Sequence, residues 1–203
     1  MLYVRNYINK LPRHPTRKYR TRDVNRIRNV IVHTTVPFTS PEEVAKFDIS
    51  PTYRWPDGKV RPNPISPQGC PACTYHYLID NKGEIYQALY HKEVSWHAPP
   101  LNTVSVAIGL MYSPLDPDGK DRGNVSPSQA MYDSAVALCA KICGLKSLLR
   151  NVNDPGQIKG HREVLGSGHK VINGVKKYRR SCPGWAMDMD SFRADVAAKM
   201  QEE

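Results

Sequence analysis

Residues 26–35 read Arg-Ile-Arg-Asn-Val-Ile-Val-His-Thr-Thr, and residues 104–111 read Val-Ser-Val-Ala-Ile-Gly-Leu-Met. The first stretch turns from basic to β-branched and apolar, which predicts the first core strand, closed by His33. The second is a near-continuous apolar run of strand length, as expected of a central strand covered on both faces. With the helical patterns that follow, these runs predict one α/β domain in which a central mixed β-sheet is flanked by helices.

Working outward, Ser40-Pro41-Glu42-Glu43 supplies a cap, a first-turn proline and early acids, so a short helix is expected to about Phe47. Residues 50–71 are rich in Pro and Gly and read as an irregular loop. Thr74–Ile79, the turn Asn81-Lys82-Gly83-Glu84 and Ile85–Leu89 predict a hairpin. Ser126-Pro127-Ser128-Gln129 opens a long helix running to Gly144 or a little beyond, through Leu145. Residues 186–201 carry Met187, Phe192, Val196 and Met200 at helical spacing.

The chain has 203 residues and a formal charge of +10, unevenly placed. Residues 1–28 hold nine Lys/Arg against Asp23 alone. We therefore expect a basic N-terminal arm over residues 1–25 and the folded domain over 26–203. Such an arm can hold a polyanion, for instance nucleic acid, teichoic acid, lipopolysaccharide or an anionic membrane, or can be a merely solvated segment. No aromatic-interleaved basic motif accompanies the charge, so a nucleic-acid partner is not expected. No apolar run approaches the roughly 18 residues of a membrane span. The first residues show no apolar core or small-residue cleavage site of a secretory signal, and Pro12 and Pro15 spoil a transit-peptide helix.

Five cysteines, an odd number, argue against a disulfide scaffold. Cys70 and Cys73 form a CxxC pair, and Cys139 and Cys143 share a helix face, so four thiolates could make a closed metal site. Alternatively, the first pair bridges or stays reduced and the second is simply buried. His33, His161 and Cys182 stand at element ends; two imidazoles and a thiolate with one open position suit a catalytic zinc. By spacing alone they could equally be satisfied core residues.

IVHTT (31–35), TYHYLID-NKGEIYQ (74–87), SWHA (95–98) with Asn102 shortly after, VSVAIGL (104–110), GHREV (160–164) and SCPG (181–184) occur in that order. Together they resemble the zinc-dependent N-acetylmuramoyl-L-alanine amidase family, which includes phage amidase-type lysozymes and animal peptidoglycan recognition proteins. The resemblance spans roughly residues 27 to 200. It implies zinc in a surface cleft, held by His33, His161 and Cys182. It also implies hydrolysis of the amide between N-acetylmuramic acid and L-alanine in peptidoglycan.

Some family members use a glutamate at the end of the central strand, but that position falls near Gly109. The cysteine-ligand phage enzymes use a tyrosine, which matches Tyr75, and a lysine two residues before the cysteine, where this chain has Arg180. Arginine keeps the charge but cannot give and regain a proton near neutral pH. The stretch from His161 to Cys182 is longer than the family's usual loop, so His169 or Lys177 could take the place of Arg180, and His169 could instead be an extra ligand or an exposed loop histidine. His97, Trp96 and Asn102 are expected to line the substrate cleft, and His76 to be structural.

The resemblance points to a phage or prophage endolysin that stays in the host cytoplasm until released to the cell wall, with the basic arm against anionic envelope polymers. A bacterial recycling amidase of the same fold and a non-catalytic recognition module are the alternatives. Cys182 counts against the module, because family members that lose this ligand bind without cutting.

Overall fold

The computed structural model describes residues 2–35, 39–54, 58–115, 120–121, 123–144, 149 and 151–202. Among these residues, ten strands and three α-helices run in the order β1 (Val4–Asn6), β2 (Asn29–Thr34), α1 (Pro41–Ile49), β3 (Thr52–Arg54), β4 (Val60–Pro62), β5 (Tyr77–Ile79), β6 (Ile85–Gln87), β7 (Ser105–Leu110), α2 (Gln129–Cys143), β8 (Ile158–Gly160), β9 (His169–Ile172), β10 (Val175–Tyr178) and α3 (Met189–Gln201). Six strands form the main sheet in the order β1-β6-β5-β7-β2-β8. Every neighbouring pair is parallel except the antiparallel β5–β6 hairpin, so the sheet is mixed, as the sequence predicts.

Side chains alternate across the sheet with period two, and this sorts the core into two layers. Val30, Val32, Val106, Ile108 and Leu110 face one way and pack with Met131, Leu138 and Ile142 of α2 and Phe192 and Val196 of α3. The other face carries Ile31, packed with Ala98 and Val164, and Leu78, packed with Val44 and Ala45 of α1. Each large apolar side chain buried this way stabilises the fold by about 1.5–3 kcal/mol. β7 is buried along its whole length, which explains its near-unbroken apolar sequence.

The helices start where their caps lie. Ser40 accepts from the Glu43 N–H with Pro41 in the first turn, and α1 runs two residues beyond Phe47. Ser128 accepts from the Met131 N–H and starts α2. Its expected continuation through Leu145 lies outside the described residues. Asp188 accepts from the Ser191 N–H, so α3 starts later than residue 186. Residues 50–71 contain a two-stranded antiparallel ribbon, β3 with β4, where only irregular loop was expected.

The basic arm expected over residues 1–25 is corrected. Several of its residues pack into the domain. Strand β1 pairs with β6 as the sheet's edge, while Ile8, Leu11 and Tyr19 are buried. Arg13 pairs with the buried Glu93 at 2.7 Å, and Arg22 donates to the carbonyls of His91 at 2.9 Å and Asn102 at 2.7 Å. Counting charges registers the cationic heads but not the apolar residues between them, which turn inward.

The four-thiolate site is also excluded. Cys139 and Cys143 pack in the layer under α2 and α3, whereas Cys73 packs on the opposite face with Leu78. All five cysteines are free thiols.

Removing residues 1–20 should strip the edge strand and three buried side chains and lower Tm by roughly 10 °C or more. Thermal unfolding followed by circular dichroism checks this; an unchanged Tm would make the segment an appendage.

Candidate metal centre

Strands β2 and β8 are parallel neighbours with Val32 opposite Gly160. The residues that follow this pair, His33 and His161, therefore emerge side by side at the carboxyl edge of the sheet, the edge where open α/β sheets build their sites. Their ring centroids lie 4.5 Å apart. Cys182 reaches the same place on a separate loop, which Arg162 fixes. Its backbone N–H donates to the Cys182 carbonyl at 2.8 Å, and its guanidinium donates to the carbonyls of Ser181, Gly184 and Met187. The loop seats against Gly160, where a Cβ would come 2.9 Å from Pro183 Cδ. Gly184 turns it with a φ of +111°, a conformation that favours glycine.

One ligand atom from each of His33, His161 and Cys182 lies within 4.8 Å of the others, a spacing that could hold a metal ion. His33 Nδ1 is 3.8 Å from Cys182 Sγ. His161 Nε2 is buried and has no hydrogen-bond partner among the described residues. A buried ring nitrogen without a partner is costly, and a metal would satisfy it. Burial pushes the His33 pKa well below its usual range, helped by the nearness of His161, His97 and Arg180. Burial and Arg180 push His161 down to about 4. Both imidazoles are thus neutral near neutral pH, the form that ligates. Burial raises the Cys182 thiol, partly offset by the Thr34 N–H, which donates to Sγ at 3.3 Å, and by Arg180 and Arg162. A divalent cation would supply the positive charge that a thiolate in this position needs. The donor set therefore fits a zinc-type ion.

Tyr75 stands beside this cluster, its ring edge-on to His33 at 5.5 Å between centroids. The register explains how it fits. Gly109 pairs with His33 across β7 and β2, and a Cβ there would lie 2.8 Å from Tyr75 Cγ. Gly109 is thus the floor on which the tyrosine rests. Burial, then Asp48 and Cys182, raise the Tyr75 pKa well above its usual value, which keeps the phenol protonated. Asp48, on α1, carried no signal in the sequence. It is buried and pushed up to about 7 by desolvation, although Thr74 donates to it from both N–H and hydroxyl. Arg180 is exposed, and its charge acts on all three ligand residues.

The stretch between His161 and Cys182 holds the β9–β10 hairpin. His169 opens it and is buried, with Nδ1 3.2 Å from the Arg162 carbonyl; it is neither an exposed loop histidine nor part of the cluster. Lys177 lies on the exposed strand β10.

The three residues expected to line the cleft, His97, Trp96 and Asn102, lie on the loop beside His33. His97 is buried behind His33, its Nδ1 3.1 Å from His33 Nε2. Asn102 Oδ1 accepts from the backbone N–H groups of His97 and Ala98, so its side chain holds this loop. Trp96 packs edge-on to Tyr19, with the Arg17 guanidinium over its ring. Sequence shows that these residues are polar or aromatic near the site, but not which way they turn. His76 is fully buried and accepts from the Ala107 N–H through Nδ1, in keeping with the structural role expected of it. The role of Arg162 was missed; its place directly after a ligand histidine was the available signal.

The fold resembles several solved structures. N-acetylmuramoyl-L-alanine amidase LysC from Clostridium intestinale URNW superposes with a TM-score of 0.59 at 16% identity, covering 97% of this chain and 99% of that one. The Ph2119 endolysin from Thermus scotoductus MAT2119 bacteriophage Ph2119 gives 0.54 at 18% identity, covering 98% and 99%. Drosophila peptidoglycan recognition protein SD gives 0.59 at 15%, covering 92% and 91%. At these identities the likeness establishes the fold alone. No curated protein sequence matches the chain. Residues 23–185, which include β2, β7 and all three residues of the cluster, match the N-acetylmuramoyl-L-alanine amidase family, and the chain belongs to that family.

Proposed function

We propose that the protein is a zinc-dependent N-acetylmuramoyl-L-alanine amidase that hydrolyses the amide between N-acetylmuramic acid and L-alanine in peptidoglycan. The observation that carries this reading is the convergence of His33, His161 and Cys182 within 4.8 Å at the carboxyl edge of the sheet, in a chain of this family. Zinc bound by these residues would polarise the scissile carbonyl and bring the pKa of a water towards neutrality.

The chain's own groups supply the rest. Tyr75, kept protonated by burial and by the acidic groups near it, is a hydrogen-bond donor for the oxyanion that develops as the amide is attacked. Arg180 adds a fixed positive charge beside the cluster; it stabilises that anion electrostatically and does not shuttle protons. His33 and His161 hold their rings neutral, so neither competes as a proton donor near neutral pH. Cys182 favours the enzyme over a non-catalytic recognition module, since it completes the ligand set.

The biological setting we infer is that of a phage or prophage endolysin, held in the host cytoplasm before release to the cell wall. The endolysin among the similar structures supports this. The basic residues near the N-terminus would then favour contact with anionic envelope polymers. Among the described residues no helix is long and apolar enough to cross a membrane.

Digestion of purified sacculi followed by mass spectrometry should release free L-alanine amino termini without new reducing sugar ends. New reducing ends would show a glycosidase, and no release would leave a binding module. Tyr75→Phe should retain about one zinc per chain but lose turnover by about a hundredfold or more; an unchanged rate removes Tyr75 from the chemistry. Gly109→Ala should act in the same direction by displacing the tyrosine ring, again with zinc retained. An activity equal to wild type would show that the ring's seat is unimportant.

A further inference from the structure

A chain of buried hydrogen bonds runs away from the cluster, and its proton positions follow from the heavy atoms alone. Ser105, fully buried at the start of β7, has its Oγ 2.7 Å from the Leu101 carbonyl. A carbonyl only accepts, so the single hydroxyl proton of Ser105 lies on that bond. The same Oγ is 3.1 Å from His97 Nε2. With the hydroxyl proton already committed, His97 Nε2 must be the donor of this second bond.

His97 is buried, and among the described residues no carboxylate is hydrogen-bonded to it. A buried cation without a partner is strongly disfavoured, so its ring is neutral and carries one proton only. That proton is on Nε2, which leaves Nδ1 as an acceptor. Nδ1 lies 3.1 Å from His33 Nε2, so His33 donates from Nε2. The other nitrogen of His33, Nδ1, then carries a bare lone pair, and it is the atom that faces Cys182 Sγ at 3.8 Å.

We propose that Ser105 and His97 are positioning residues that lock His33 in its Nε2–H tautomer, so that Nδ1 is ready to bind a metal before any metal arrives. The direction of the whole chain is set by one backbone carbonyl, that of Leu101. Asn102 supports it from the side, because its Oδ1 anchors the backbone N–H of His97 and so fixes where the ring stands. A histidine left free would divide between two tautomers, and the one protonated at Nδ1 would have to rearrange before binding.

This inference rests on reading His33, His161 and Cys182 as a metal site, but its first test does not need the metal. Long-range ¹⁵N–¹H NMR of the metal-free wild-type protein should show His33 protonated at Nε2 and bare at Nδ1. A His33 protonated at Nδ1 overturns the lock, whether or not the protein binds zinc. An Nε2–H His33 in a protein that takes up no zinc would support the lock and count against the metal reading.

The second test is affinity for Zn²⁺, measured by competition with a chromophoric chelator. Ser105→Ala should mix the His97 tautomers and weaken zinc binding by about ten- to a hundredfold. His97→Gln keeps an acceptor for His33 and should bind zinc more tightly than His97→Leu, which keeps none. Equal affinities for wild type, Ser105→Ala and His97→Leu would overturn the proposal. If a variant fails to fold, the wild-type tautomer still decides it.

Discussion

The parallel pairing of Asn29–Thr34 with Ser105–Leu110 is the constraint from which the rest of the molecule follows. Two buried parallel strands need apolar cover on both faces, and α2 and α3 supply it on one side only. On the other side the strands carry a graded set of side chains, Ile31 and Ala107 first, then His33 and Gly109 towards the carboxyl end. The apolar part is closed by Ala98, Val164 and the layer beneath α1. The polar end, where His33 faces a residue with no side chain, is where Tyr75, His161 and Cys182 gather. The same register that buries the strands therefore makes the room for the site.

Three chain segments distant in sequence must then meet to within a few ångströms, and the structure manages this through backbone contacts. Strand β8 puts His161 beside His33 by pairing alone. Arg162 gathers three carbonyls of the loop that carries Cys182, so one side chain converts the position of one ligand into the position of another. Glu163 continues the arrangement by accepting from the Gly160 N–H and from Arg193 of α3, which ties the site to the helical layer. The run Gly160–Glu163 thus serves as close-packing floor, candidate ligand, clamp and anchor in turn.

Much of this was legible in the sequence. The apolar runs of β2 and β7, the hairpin of β5 and β6 and the capped starts of α1 and α2 depend on local pattern, and they lie close to where pattern puts them. The meeting of His33, His161 and Cys182 was legible only through a set of ordered motifs, because each alone is compatible with an ordinary core residue. What was not legible depended on direction and distance. Tyr19 and Ile8 lie among so many cations that their segment read as a free arm, yet they are the part of it that folds. His97 sits in a motif that suggested a cleft wall, and the loop held by Asn102 sets its ring against His33, a contact that pattern alone does not show. Asp48 gave no sign of itself, since one acid on a short helix is ordinary until its helix packs against Thr74. Cys73 and Cys139 could be paired on paper and are separated in space by the sheet.

In the proposed site, two imidazole nitrogens and one thiolate sulfur hold a single zinc at the end of β2. X-ray absorption at the zinc edge of the loaded protein tests it most directly. The expected first shell has about two nitrogen neighbours near 2.0–2.1 Å, one sulfur near 2.3 Å and one further light atom. A first shell without sulfur, or one made of four sulfurs, would contradict it.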